Sequence, residues 1–125
     1  MIGYVTLGTN NLHRSAEFYD ALLAELGATR FMEMEGFIAW AVNPQTPALS
    51  LTAPYNGQPA TTGNGTMIAL AADTPTTVDA VYRKAIELGG KCEGPSGPRG
   101  ESFYVGYFRD LEGNKLNVFC MMQSA

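Results

Sequence analysis

The sequence predicts an α+β fold built from two βαβββ units that together form an incomplete barrel with the helices outside. Three observations carry this expectation. A strand-like alternation followed by a helical stripe occurs twice, at residues 2–26 and again at 65–88. A run of turn formers, Pro54-Tyr-Asn-Gly-Gln-Pro-Ala-Thr-Thr-Gly-Asn-Gly65, separates the two copies. The chain then closes on two apolar runs joined by an Asp/Gly/Asn turn, the signature of a β-hairpin.

Residues 2–9 alternate as a strand, and Asn10-Asn11 offers an N-cap for a helix through Leu26. The apolar stripe of that helix is Leu12, Ala16, Tyr19, Leu22, Leu23 and Leu26, and Gly27 stops it as a C′ glycine. Strands are expected near 28–35, 37–42 and 47–53. The second copy starts with a strand at 65–72, and its helix carries Val78, Val81, Tyr82, Ala85 and Leu88 on one face before Gly89. Thr76 with Asp79 resembles a capping box at its start. Strands near 90–95, 102–109 and 115–121 complete the unit, and Gly94-Pro-Ser-Gly-Pro-Arg-Gly100 reads as a loop. The domain layout is therefore one domain over 1–125, with units at 1–55 and 65–122 and a linker at 54–65. Sliding one unit onto the other sets Tyr4 over Met67 and Ser50 over Asn117.

A chain of 125 residues supports one core. With 46% hydrophobic and 16% charged residues it has an ordinary globular composition. Its net charge is −4, and its eight Lys and Arg are scattered along the sequence, which disfavours nucleic acid and anionic membranes as partners. No apolar run approaches the roughly 20 residues that span a bilayer. The opening residues alternate like a strand and lack a basic n-region, so a cytoplasmic location is expected. Cys92 and Cys120 lie far apart with no CxxC neighbour, which suits reduced thiols better than a disulfide or zinc site.

The hairpin Gly106-Tyr-Phe-Arg-Asp-Leu-Glu-Gly-Asn-Lys-Leu-Asn-Val-Phe-Cys120 resembles the closing hairpin of the vicinal oxygen chelate superfamily. Those proteins include glyoxalase I, extradiol dioxygenases, and fosfomycin- and bleomycin-resistance proteins, and their hairpin commonly reads Asp-Pro-x-Gly-Asn-x-x-Glu. Asp110, Gly113 and Asn114 match, while Asn117 stands where the family has its metal-binding Glu. The resemblance spans essentially the whole chain and implies the incomplete barrel. It also implies a metal held by one residue from the first and one from the last strand of each unit, normally His, Glu or Gln. Here those positions are Tyr4, Ser50, Met67 and Asn117. A phenol, hydroxyl, thioether and carboxamide lack the imidazole or anionic oxygen that a divalent ion requires, so neither metal nor other cofactor is expected.

Strand alternation divides each strand into two faces. Val5 and Leu7, Leu49 and Leu51, Ile68 and Leu70, and Leu116 and Val118 are expected beneath the helices. Tyr4, Thr6, Ser50, Thr52, Met67, Asn117 and Phe119 fall on the opposite, concave face as ligand-binding candidates, and the 94–100 loop offers Arg99 for a substrate carboxylate or phosphate. Tyr4 and Asn117 are the strongest of these, with a mutual hydrogen bond as the plain structural alternative. His13 is read as a surface residue beside Glu17, Cys120 as a buried thiol, and Gly94–Gly100 lacks the ending of a phosphate-binding P-loop. Trp40, Phe37, Phe103, Tyr104 and Tyr107 suit either core or pocket wall.

These readings favour a protein that binds a small organic molecule without a metal, as a homodimer. The alternative is a lyase, isomerase or dioxygenase-like enzyme of the same superfamily. Its acid or base would come from Tyr4, Glu33, Glu35 or Glu101, none with an identifiable partner to tune it.

Overall fold

The computed structural model describes residues 1–122, and the chain divides into two compact units, Met1–Thr62 and Gly63–Ala125. The first contains β1 (Tyr4–Gly8), α1 (Leu12–Ala24), β2 (Thr29–Met34), β3 (Phe37–Ala41) and β4 (Ala48–Thr52). The second contains β5 (Ile68–Ala71), α2 (Pro75–Glu87), β6 (Lys91–Arg99), β7 (Phe103–Arg109) and β8 (Lys115–Met121). Each unit is an open four-stranded sheet with one helix, in the orders β1-β4-β3-β2 and β5-β8-β7-β6. In both, the first strand lies parallel to the last and the other two pairings are antiparallel. The βαβββ repeat expected from the sequence is present.

In the first unit Asn11 caps α1, its Oδ1 accepting from the Arg14 amide at 3.1 Å. Ala16, Phe18, Tyr19, Leu22 and Leu23 bury one helix face, against strands β2, β3 and β4. Asp20 fixes that docking. Its carboxylate accepts from Arg30 Nε and Nη2 at 2.9 and 2.8 Å and from Trp40 Nε1 at 2.8 Å. The Arg30 guanidinium holds the Asp20 carboxyl below the usual carboxylate range and lies over the Trp40 ring. Trp40 is 1% exposed, which makes it core. Each methylene so buried contributes about 0.8 kcal/mol.

In the second unit Thr74, not Thr76, caps the helix. Thr74 Oγ1 accepts from the Thr77 amide at 3.2 Å, and Pro75 occupies the first turn, where its missing N–H costs nothing. Asp79, expected in a capping box, instead accepts from Ser96 Oγ and Tyr104 Oη, both at 2.8 Å, tying α2 to β6 and β7. The Tyr104 phenol is pushed up by that carboxylate. Gly106 lets the helix approach, since an added Cβ would come within 3.0 Å of Tyr82 Cδ1. Val78, Val81 and Ala85 of α2, together with Val105, Phe108, Leu116 and Val118 of the sheet, are fully buried.

The closing turn forms as its residues dictate. Asp110 Oδ1 accepts from the Glu112 and Asn114 amides, each at 2.9 Å, Asn114 Nδ2 donates to Asp110 Oδ2 at 3.0 Å, and Gly113 takes φ 95°. Residues 94–99 differ from expectation. They continue β6 as an edge strand whose register shifts between Cys92 and Gly94 and between Gly94 and Gly97. Pro95 falls within the second shift, whereas Pro98 lies in register opposite Tyr104, a place open to a residue without an N–H because β6 is an edge strand. The 65–72 strand is also shorter than expected, leaving Met67 just ahead of β5.

Candidate functional site

Register assigns the faces. In the first unit Tyr4 lies opposite Ala48, Thr6 opposite Ser50, and Phe37 and Ala39 opposite Thr52 and Ser50, so these share the side away from α1. A concavity of about 380 Å³ opens there. Its lining is chiefly apolar and includes Tyr4, Phe31, Met32, Met34, Phe37 and Ala39, with the Tyr4 and Phe37 rings edge to face at 6.4 Å. Of the four candidates in this unit only Tyr4 borders the concavity. Thr6 Oγ1 and Ser50 Oγ bond each other at 2.8 Å, and Ser50 also donates to the Val5 carbonyl at 2.9 Å. Thr52 donates to the Gly36 and Ala53 carbonyls. These hydroxyls are spent on the sheet itself.

In the second unit Ala69 lies opposite Asn117 and Ala71 opposite Phe119, while Tyr107 and Val105 oppose the same two residues from β7. Asn117 is 2% exposed. Among the described residues its Nδ2 donates only to Met67 Sδ at 3.7 Å, a weak acceptor, and its buried Oδ1 has no partner. Orphaned buried amide oxygens are uncommon and cost about 1–3 kcal/mol. The Phe119 and Phe103 rings pack at 5.5 Å. Arg99 belongs to β6 rather than to a loop, and its guanidinium donates to the Pro95 and Pro98 carbonyls. Tyr4 and Asn117 therefore find separate partners, Phe37 and Met67.

The candidate acids, bases and thiols fall away from these faces or are exposed in turns. His13 sits on the surface, 3.0 Å from Glu17. Glu33 is held by Arg30 at 2.6 Å on the side facing the helix, opposite Ile38. Glu35 and Glu101 are exposed in turns. Cys120 is buried and Cys92 exposed, both free thiols. Phe37, Phe103 and Tyr107 prove to be concave-face residues, whereas Tyr104 and Phe108 face α2. Sequence reasoning did not select Phe31, Met32 and Met34. The register shift between Arg30 and Met32 resets the alternation of β2, and no local pattern announces it.

Residues 1–118 match the family model of the Glyoxalase/Bleomycin resistance protein/Dioxygenase superfamily. The chain belongs to that superfamily. A crystal structure of a glyoxalase/bleomycin resistance protein from Albidiferax ferrireducens T118 is 37% identical, with a TM-score of 0.88 over 96% of this chain and 98% of that one. A glyoxalase-related enzyme from Fulvimarina pelagi shares the fold at 19% identity, TM-score 0.76, covering 100% of this chain and 99% of its own. Lactoylglutathione lyase from Agrobacterium tumefaciens does so at 21% identity, TM-score 0.67, covering 96% and 92%. No curated protein matches the chain.

The divalent metal that this family implies does not suit the residues present. Ser50 spends its hydroxyl on Thr6 and Val5, Met67 is a thioether, and Asn117 offers one neutral oxygen. Among the described residues no three or more His, Cys, Asp or Glu come together as a metal-holding group. Likewise no helix among them is long and apolar enough to cross a membrane.

Proposed function

We propose that this protein binds a small, partly apolar organic molecule on its concave sheet faces, without a metal, to sequester or sense it. One observation carries the reading. All four positions where the family places metal ligands bear neutral side chains, Tyr4, Ser50, Met67 and Asn117, and the last keeps a buried oxygen free for a donor. The apolar concavity beside Tyr4 and the Phe103–Phe119 pair supply surface for an organic body. The protein is proposed to act in the cytoplasm, where its thiols stay reduced. Zinc, nickel, manganese and iron are expected to leave the melting temperature unchanged, because a ligand stabilises only a fold that holds it. A rise with any of them that disappears in Asn117→Ala would overturn the reading.

We further propose that the protein works as a homodimer. All six residues of the edge strand β2 are exposed, Phe31, Met32 and Met34 among them, and a bare strand edge is a surface that partners cover. The contact should bury more than about 1,000 Å² in total. Light scattering that returns a monomer at micromolar concentration would contradict it.

A further inference from the structure

Although the chain is acidic overall, its cations are not evenly spread. Of eight Lys and Arg, Lys91, Arg99, Arg109 and Lys115 all lie on the second unit's sheet. Register makes this crowding acute. Lys91 lies directly opposite Arg109, and Arg109 directly opposite Lys115, three like charges abreast on three adjacent strands. Like charges in direct opposition destabilise a sheet. Glu93 bonds Arg109 Nε at 2.7 Å and its carboxylate also feels the charge of Lys115, so one anion serves a row of three cations. Lys91, Arg99 and Lys115 have no ion pair among the described residues.

Tyr107 stands at the centre of this face. Lys115 Nζ lies 5.6 Å from its ring centroid. Arg99 Nη2 and Tyr107 Cδ2 both border the point where Gly94 would carry a Cβ, at 3.4 and 3.5 Å, so the guanidinium and the ring are neighbours. Directly opposite Tyr107 is Asn117, with its orphaned Oδ1, and beyond it Phe119. Two cations without an ion-pair contact among the described residues, Arg99 on the Pro95 and Pro98 carbonyls and Lys115 on the Tyr107 ring, thus share one face with a buried acceptor and an aromatic shelf.

We infer that the ligand of this face is a small organic carboxylic acid. Its carboxylate is held by Arg99 and Lys115 about Tyr107, a hydroxyl or amide donor beside the acid group reaches Asn117 Oδ1, and its apolar body rests on Phe119. Met67 is 40% exposed and its sulfur accepts only a long 3.7 Å bond from Asn117 among the described residues, so its flexible side chain can swing aside to admit the donor. This assignment rests on the small-molecule reading above and adds the charge and class of the molecule.

The test is calorimetric titration of the full chain with 3-phenyllactate and with its neutral counterpart 3-phenyllactamide. The acid is expected to bind, with the amide at least about tenfold weaker, since a charge-assisted hydrogen bond is roughly twice as strong as a neutral one. Arg99→Gln and Lys115→Gln should each weaken the acid by about tenfold and leave the amide unchanged. Lys115→Gln should also keep or raise the melting temperature, because it relieves the opposition to Arg109, whereas a merely structural lysine would lower it. Acid and amide binding equally, with both variants silent, would overturn the charge assignment while leaving the cavity reading intact. Failure of both probes to bind would overturn the ligand class too, and native mass spectrometry for a retained organic adduct then decides the broader reading separately.

Discussion

Leu116→Ala is expected to lower the melting temperature by on the order of 10 °C, while Ala69→Trp leaves it within a few degrees. Leu116 is fully buried beneath α2, opposite Ile68 and Phe108. Truncating it removes its transfer free energy and leaves a cavity, together about 2–5 kcal/mol. Ala69 is exposed and sits opposite Asn117 on the other face, so an indole there meets no helix. Ala69→Trp should instead fill the space before Asn117 and abolish ligand binding. Thermal melts of both variants check the face assignment on which every proposed site residue depends. A severe loss for Ala69→Trp beside a mild one for Leu116→Ala would mean that the faces are reversed.

Trp40→Ala should be at least as damaging, about 3–5 kcal/mol for a buried Trp. The indole is 1% exposed, packs against Tyr19 at 5.9 Å, and donates to the same Asp20 oxygen as Arg30. Trp40→Phe keeps most of the apolar volume and loses only the Nε1 bond to Asp20, so it should cost much less. Chemical denaturation of the two variants separates packing from hydrogen bonding. Equal losses would show that the Asp20 contact, not the ring, carries the effect.

Features set by neighbouring residues were readable from the sequence. Asp110, Gly113 and Asn114 form the closing turn by bonds within five residues, and the stripes of α1 and α2 follow the helical period. The division of faces at β1, β4, β5 and β8 followed from alternation alone. Strand β6 was hidden because Gly94, Pro95, Gly97 and Pro98 carry loop chemistry, which an edge strand tolerates. The site was less legible than the fold. The row Lys91–Arg109–Lys115 and the meeting of Arg99 with Tyr107 arise from cross-strand register, so cations that look scattered in sequence become neighbours only once the sheet is paired. The spent hydroxyls of Thr6, Ser50 and Thr52 are equally invisible before their backbone partners are known.

Native mass spectrometry of protein purified gently and without chelator tests the central claim most directly, since it weighs metal, organic ligand and subunit number together. A dimer carrying an organic adduct and no divalent metal is the predicted result. A stoichiometric divalent metal with no organic adduct, its mass lost in Asn117→Ala, would contradict it.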